Sequence, residues 1–309
     1  MRLGILDVGS NTVHLLVVDA EPGSRPVPAA DKSWDSPLLH QVGDDHAVSA
    51  EGQQELHDVI VEAHACSREL GVADFSAFAT SAFREASNAD QLLDGVRRET
   101  GVDLHVLEGE DEARLTFLAA RRWFGWGSGR LLLVDIGGGS LELAVGADEV
   151  PEHVASLPLG AARLTRDFFP DDPPRAADVA ALRSYVTATV AERLRPFRAH
   201  PSDVAVGTSK TLRSLARVAG AAPSAEGLYV KRVLCADDAE QLVDKLAGLP
   251  GKERAKLPGV SARRAPQLLA GAIVASTTLS LLGIEELQIC PWALREGVIL
   301  ARQDWMTVW

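Results

Sequence analysis

Residues 131–146 read LLLVDIGGGSLELAVG, and residues 3–18 read LGILDVGSNTVHLLVV. Superposed, Asp7 falls on Asp135, Gly9 on Gly137 and Thr12 on Ser140, while Asn11 and His14 fall on Gly139 and Glu142. Each unit is an apolar run ending on an acid, then a glycine-bearing turn, then a second apolar run. That pattern is a tight antiparallel hairpin, and a chain carrying it twice is held to a duplicated architecture. Glycine permits positive φ at such a turn and lets the backbone approach a ligand closely. Consecutive N–H groups there form a concave anion site, for which phosphate is a common guest. The acid at the strand end offers an oxygen to Mg²⁺, which binds through one or two carboxylates plus phosphate oxygens. A single turn of this kind has a purely steric explanation. Two of them, with acid and hydroxyl at matching offsets, predict two turns facing one cleft and clamping a phosphate chain from both sides.

The 309-residue length favours two domains over one core. Between the hairpins the apolar spacing predicts a helix over 49–70, a strand over 75–79, a polar loop at ATSAFREASN and a helix over 89–100. A strand over 103–107 then runs into the acid-started helix GEDEARLTFLAARRWF, and GWGSG at 125–129 is the candidate linker. Beyond the second hairpin come a strand at 154–158, the turn FFPDDPP, one helix over about 177–197 and a strand at 204–206 entering GTSKT. Strands alternating with helices, each half opening on a hairpin, give an α/β fold with mixed sheets. GTSKT (207–211) is a strand-to-helix turn whose N–H groups and the hydroxyls of Thr208, Ser209 and Thr211 suit a further phosphate.

The bulk composition narrows the partners. Net charge is −12, yet residues 193–264 hold 14 Lys and Arg against 7 Asp and Glu, leaving the remainder at −19. Solvated helix faces or an anion-guiding surface both account for that basic stretch. Cys66, Cys235 and Cys290 are odd in number and lack C-x-x-C spacing, which favours buried thiols in a reducing cytoplasm over a disulfide framework or zinc site. The eight histidines show no metal spacing, and His57 and His64 read as a solvated helix face. The apolar stretch 268–284 is interrupted by Ser276, Thr277, Thr278 and Ser280 and reads as a buried core helix, and the N-terminus shows no secretory signal.

ILDVGSNTVHLLVVD, GEDEARLTFLA, LVDIGGGSLEL, GTSKTLRSLA and PWALREGVIL together resemble the exopolyphosphatase and guanosine pentaphosphate phosphohydrolase (Ppx/GppA) family, in order and over nearly the whole chain. The resemblance implies two ribonuclease-H-like lobes of the actin-like ATPase superfamily with an interdomain cleft. The lobes would span 1–125 and 126–294, with a closing helix at about 295–309 packing back on the first. Many long relatives carry a C-terminal HD-type helical region; this sequence stops at Trp309. The resemblance also implies that Glu112 is the base or water-orienting group, its register fixed by the Ala113–Arg114–Leu115 that follows, with Asp7 as a second acid that positions water. Asp135 and Glu142 match metal-associated carboxylates for Mg²⁺ or Mn²⁺, and Arg84 matches a phosphate-binding arginine. Phosphate contacts are expected from Gly9, Ser10, Asn11, Thr12, Arg84, Gly137, Gly138, Gly139, Ser140, Thr208, Ser209, Lys210 and Thr211. Lys210 stands where many relatives have glycine, and Glu296 is expected at the hinge.

The expected reaction is release of terminal orthophosphate from inorganic polyphosphate of short to medium length. The alternatives are hydrolysis of guanosine pentaphosphate, a phosphotransferase reaction on the same superfamily fold, and a non-catalytic sensor of polyphosphate or of guanosine penta- or tetraphosphate. A cytoplasmic homodimer is expected, with neither nucleic acid nor membrane as partner.

Overall fold

The computed structural model describes residues 1–21, 23–36, 38 and 47–306, the side chain of Met306 excepted. The chain opens with β1 (Arg2–Val8), β2 (Thr12–Asp19), β3 (Pro28–Asp35), α1 (Ala50–Glu69), β4 (Asp74–Ala79), α2 (Ser81–Glu85), α3 (Ala89–Thr100), β5 (Leu104–Val106) and α4 (Gly109–Phe124). It continues with β6 (Leu131–Ile136), β7 (Leu141–Gly146), β8 (His153–Leu157), α5 (Ala161–Phe168), α6 (Ala176–Ala191), α7 (Leu194–Ala199), β9 (Val204–Gly207) and α8 (Ser209–Val218). The remainder is β10 (Val233–Cys235), α9 (Ala236–Ala247), α10 (Gly251–Arg254), α11 (Leu268–Leu282), β11 (Glu286–Ile289) and α12 (Leu294–Met306). Two compact units result, Met1–Leu115 with Leu294–Trp309, and Thr116–Ala293; their boundary falls inside α4.

The first unit has a five-stranded sheet in the order β3-β2-β1-β4-β5. The strands β1, β2 and β3 form an antiparallel meander, whereas β4 and β5 run parallel to β1. Successive side chains of a strand point to opposite faces. Leu6, Val8, Val13, Leu15 and Val17 accordingly pack with Leu56, Ile60 and Ala63 of α1 and with Leu92 and Val96 of α3. Leu3, Ile5, Leu16 and Val18 face the other way and meet Ile299 of α12. The closing helix thus covers the second face of this sheet; residues 307–309 of the helix expected at 295–309 lie outside the described residues.

The second unit repeats that plan with one strand more: its sheet has the order β10-β11-β9-β6-β7-β8. Again the first three strands make an antiparallel meander, and β9 runs parallel to β6 with β11 parallel to β9. The added β10 is antiparallel to β11. Leu132, Val134 and Ile136 of β6 pack in one core with α11, of which Leu268–Leu279 is buried throughout. This is the apolar stretch of the sequence, and no helix among the described residues is long and apolar enough to cross a membrane.

Four local expectations differ from the structure. The single helix expected over 177–197 is divided into α6 and α7 at Glu192–Arg193. Pro196 explains the break, because it has no N–H for the Glu192 carbonyl and its ring would clash with that carbonyl in a continuous helix. Within the polar loop ATSAFREASN the segment Ser81–Glu85 is helical. Of the three thiols only Cys290 is buried, Cys235 being exposed and Cys66 intermediate. The face of α1 carrying the two histidines is half-covered: His64 stacks on Phe75 with ring centroids 5.0 Å apart, and His57 lies 3.2 Å from Glu99.

Candidate active site

The two hairpins share one register. Asp7 pairs with His14 and Val8 with Val13; Asp135 pairs with Glu142 and Ile136 with Leu141. Each turn is closed by the same bond, Gly9 N–H to the Thr12 carbonyl at 3.1 Å and Gly137 N–H to the Ser140 carbonyl at 2.9 Å. The overlay made on sequence alone is therefore an overlay of backbone.

Each turn is also held from behind, by different means. In the first unit the Asn11 carbonyl accepts from Ser36 N–H at 3.2 Å, and Ser10 and Asn11 are buried. In the second, the start of α5 supplies the donors: Ala161 N–H binds the Gly137 carbonyl at 3.0 Å, while Ala162 and Arg163 N–H bind the Gly138 carbonyl at 2.9 and 3.0 Å. Those bonds satisfy N–H groups that a helix start otherwise leaves orphaned. With the Gly137 and Gly138 carbonyls committed to α5 and Gly137 N–H closing the turn, the N–H groups of Gly138, Gly139 and Ser140 are the ones the GGGS turn (137–140) can offer a ligand.

In the first unit, Glu112 and Arg84 form an ion pair, and the same Arg84 Nη1 also donates to the Leu107 carbonyl. Glu112 is 8% exposed. Its neighbours Glu110 and Asp111 are exposed and both bind Arg114, at 2.9 Å each. The difference follows from helical phase: Ala113, Thr116, Phe117, Ala120 and Arg121 form the buried stripe of α4, and Glu112 lies at its edge while Asp111 lies opposite. His14, which replaces Glu142 in the first hairpin, pairs with Arg295 of α12 and lies 3.1 Å from Asp31. Glu296 is half-buried next to it on α12.

In the second unit, β6 and β9 are adjacent and parallel, with Val134 opposite Gly207, so the GGGS and GTSKT turns leave the same end of neighbouring strands. Thr208 N–H binds the Val134 carbonyl at 3.1 Å, and the Thr208 hydroxyl donates to Asp135 Oδ2. Burial pushes the Asp135 carboxyl up from its ordinary pKa, against the opposing influence of the Thr208 hydrogen bond and the Arg213 charge. Glu142 accepts from the Ser156 hydroxyl of β8 at 3.0 Å. Within GTSKT, Thr208 and Thr211 are buried and Lys210 is exposed. Ser209 takes φ 70°, a left-handed conformation that is costly for a residue with a Cβ.

Lys210, Arg213 and Arg217, spaced along α8, line one cavity of about 380 Å³ together with Arg232. Its remaining walls are neutral, including Pro223, Leu228, Ile289 and Pro291. Although Lys210 is exposed as a residue, partial loss of water around its ammonium, then the charges of Arg213 and Arg264, push it down from its usual pKa. Burial, then the charges of Arg213 and Arg263, push Arg264 down to about 10. Arg232 was not singled out from sequence; it donates to the carbonyls of Ala222, Val230, Pro223 and Gly227 and so clamps the loop that forms one wall. Arg121, also unforeseen, is fully buried at the end of the α4 stripe and holds the carbonyls of Gly125, Gly129 and Ala147.

A duplicated α/β unit, each copy presenting an acid and a glycine turn at the end of its central strand, defines the phosphate-handling class of the actin-like ATPase fold. A crystal structure of the Ppx/GppA member of Aquifex aeolicus superposes with a TM-score of 0.80 at 28% identity, covering 99% of this chain and 98% of that one. The chain belongs to the Ppx/GppA phosphatase family, whose pattern matches residues 38–304. Exopolyphosphatase 1 of Mycobacterium tuberculosis is 52% identical over 305 residues, 98% of this chain and 89% of that protein. A guanosine-5'-triphosphate,3'-diphosphate pyrophosphatase of Vibrio parahaemolyticus is 27% identical, over 97% of this chain and 59% of that protein.

Proposed function

We propose that this protein is an exopolyphosphatase that releases terminal orthophosphate from inorganic polyphosphate. The observation that carries the reading is the buried Glu112 held by Arg84, in a chain 52% identical to an exopolyphosphatase along almost its entire length. Hydrolysis of a phosphoanhydride requires a water in line with the scissile P–O bond and positive charge around the transferring phosphoryl group. Glu112 orients that water and takes its proton as the new P–O bond forms. The bond from phosphorus to the bridging oxygen breaks, and the electron pair leaves with the shortened chain. Arg84 fixes the carboxylate, and a glycine turn of this kind offers N–H groups that suit phosphoryl oxygens.

Asp135, with Glu142 opposite it in register, would hold Mg²⁺ or Mn²⁺. Two carboxylates are enough for Mg²⁺, since that ion uses few of them and completes its shell with water and phosphate oxygens. A buried carboxyl whose ionised form lacks solvation is also a fitting partner for a cation. The ion would supply charge neutralisation at the phosphoryl oxygens.

The row Lys210, Arg213 and Arg217 extends the reading to the substrate. A phosphate chain running along α8 meets three cations at helical spacing, which favours polyphosphate over guanosine pentaphosphate, with Lys210 contributing most to that preference. Hydrolysis of the pentaphosphate remains the second reading, supported by the 27% identity to the Vibrio parahaemolyticus protein. The test is Glu112→Gln against wild type, with phosphate release and polyphosphate binding measured separately. Lost turnover with retained binding is expected. A variant that keeps near-normal turnover, together with an inactive Asp111→Asn, would overturn the assignment of Glu112.

A further inference from the structure

The GGGS and GTSKT turns of the second unit are joined in front by the Thr208–Asp135 hydrogen bond. They are also joined behind, through two positions where a side chain is missing. Gly160 precedes α5, and a Cβ there would overlap the backbone of Gly138 and Gly139. Neither neighbour can yield without moving the turn, because α5 already holds the Gly137 and Gly138 carbonyls. Gly271 lies on α11, wholly buried, where a Cβ would stand 2.5 Å from Thr211 Cγ2 and 3.4 Å from Ala161 Cβ. One face of α11 therefore touches the first residue of α5 and the end of the GTSKT turn at the same point.

These contacts form a closed ring: GGGS turn, Gly160, Ala161, Gly271, Thr211, GTSKT turn, and back through Thr208 to Asp135. We propose that Gly160 and Gly271 are positioning residues that set the spacing between the two anion-binding turns of the second unit, with α11 as the rigid strut behind both. A methyl at Gly160 meets main chain and must move the turn, whereas one at Gly271 must displace the Thr211 methyl or the helix that carries it. Displacement on the scale of 1 Å matters where a phosphoryl group is held for reaction. The two glycines differ in one testable respect. The obstruction at Gly160 is main chain, whereas at Gly271 it is chiefly a single methyl of Thr211.

The inference rests on the proposed site but not on its substrate, so its experiment has two arms. The first is amide hydrogen exchange on the intact protein, for wild type, Gly160→Ala, Gly271→Ala, Thr211→Ser and the Gly271→Ala/Thr211→Ser pair. Faster exchange confined to 137–140 and 207–211 is expected in both alanine variants. Thr211→Ser keeps the hydroxyl and removes the obstructing methyl, so the pair should exchange like Thr211→Ser alone. The second arm is polyphosphate hydrolysis per folded molecule, where Gly271→Ala should raise KM or the Mg²⁺ midpoint about tenfold, with recovery in the pair to the level of Thr211→Ser alone. Alanine variants with unchanged exchange in both turns, or with only a lowered melting temperature and wild-type KM and Mg²⁺ midpoint, would overturn the positioning role. Failure of Thr211→Ser to rescue Gly271→Ala would overturn the ring. A wild type that releases no phosphate would contradict the functional reading alone, and the exchange arm would still decide this one.

Discussion

Glu112 and Asp111 are neighbours in sequence with opposite surroundings, one against Arg84 and the other on Arg114 at the surface. At the residue scale that contrast fixes the expected effects. Glu112→Gln should lower turnover by about 10²–10⁴-fold, the range of a general-base contribution, while Asp111→Asn stays close to wild type in the same phosphate-release assay. From sequence, the choice between them rested on the resemblance. It was also legible in helical phase, because counting back from Phe117 and Ala120 brings Glu112 to the covered side of α4. What no sequence pattern shows is the partner: Arg84 is distant in sequence and meets Glu112 only because α2 and α4 follow neighbouring parallel strands.

Lys210 carries a second residue-scale expectation. Its pKa is lowered from the ordinary lysine value of 10.5, so it loses its charge at a lower pH than an unperturbed lysine does. The charged form binds phosphate. Polyphosphate affinity should therefore be full at neutral pH and fall as pH rises through the lowered value, before pH 10.5 is reached. Lys210→Arg retains its charge there and should shrink the fall, leaving the part due to Arg264, which is lowered to about 10. Titration of binding from pH 7 to 10.5 checks this, and an alkaline fall of equal size in both proteins would contradict it.

At the scale of elements, the hairpins were the most legible feature, and the shared Asp7–His14 and Asp135–Glu142 register shows why. A turn that needs glycine and a closing bond leaves few residue choices, so its signature survives in sequence. The adjoining third strands were less visible: β3 (PAADKSWD) is mostly exposed at a sheet edge and lacks an apolar run. The break between α6 and α7 turns on one proline whose effect competes with good helical spacing on both sides. The loop around Arg232 was hidden because a clamp on carbonyl oxygens leaves no pattern in side chains. Arg232→Ala removes bonds to four carbonyls from a half-buried charged donor, so it should destabilise the chain by about 2 kcal/mol and open residues 221–230 to proteolysis. Urea unfolding with limited digestion measures both, and unchanged stability with a protected loop would contradict the clamp.

At the scale of the molecule, the −12 net charge conceals the basic stretch, and the cations of α8 line one cavity. An acidic protein that binds a polyanion through such a row should do so with steep salt dependence, since screening acts over about 8 Å at physiological ionic strength. Lys210→Gly should weaken polyphosphate binding more than guanosine pentaphosphate binding; equal losses for both would remove Lys210 from the account of specificity. The proposed metal rests on Asp135 of the second unit. Asp135→Asn should raise the Mg²⁺ concentration needed for half-maximal activity, and full wild-type activity in excess chelator would remove the metal from the reaction.

The central claim is that the chain transfers a terminal phosphoryl group to water. Orthophosphate release should be followed with the wild-type protein on polyphosphate and on guanosine pentaphosphate, with and without Mg²⁺, and with and without ADP. The account predicts release that requires Mg²⁺, needs no acceptor, and has the higher kcat/KM on polyphosphate. Formation of ATP from ADP would assign a phosphotransferase instead. A higher kcat/KM on guanosine pentaphosphate would contradict the proposed substrate, and absence of release from either would contradict hydrolysis itself.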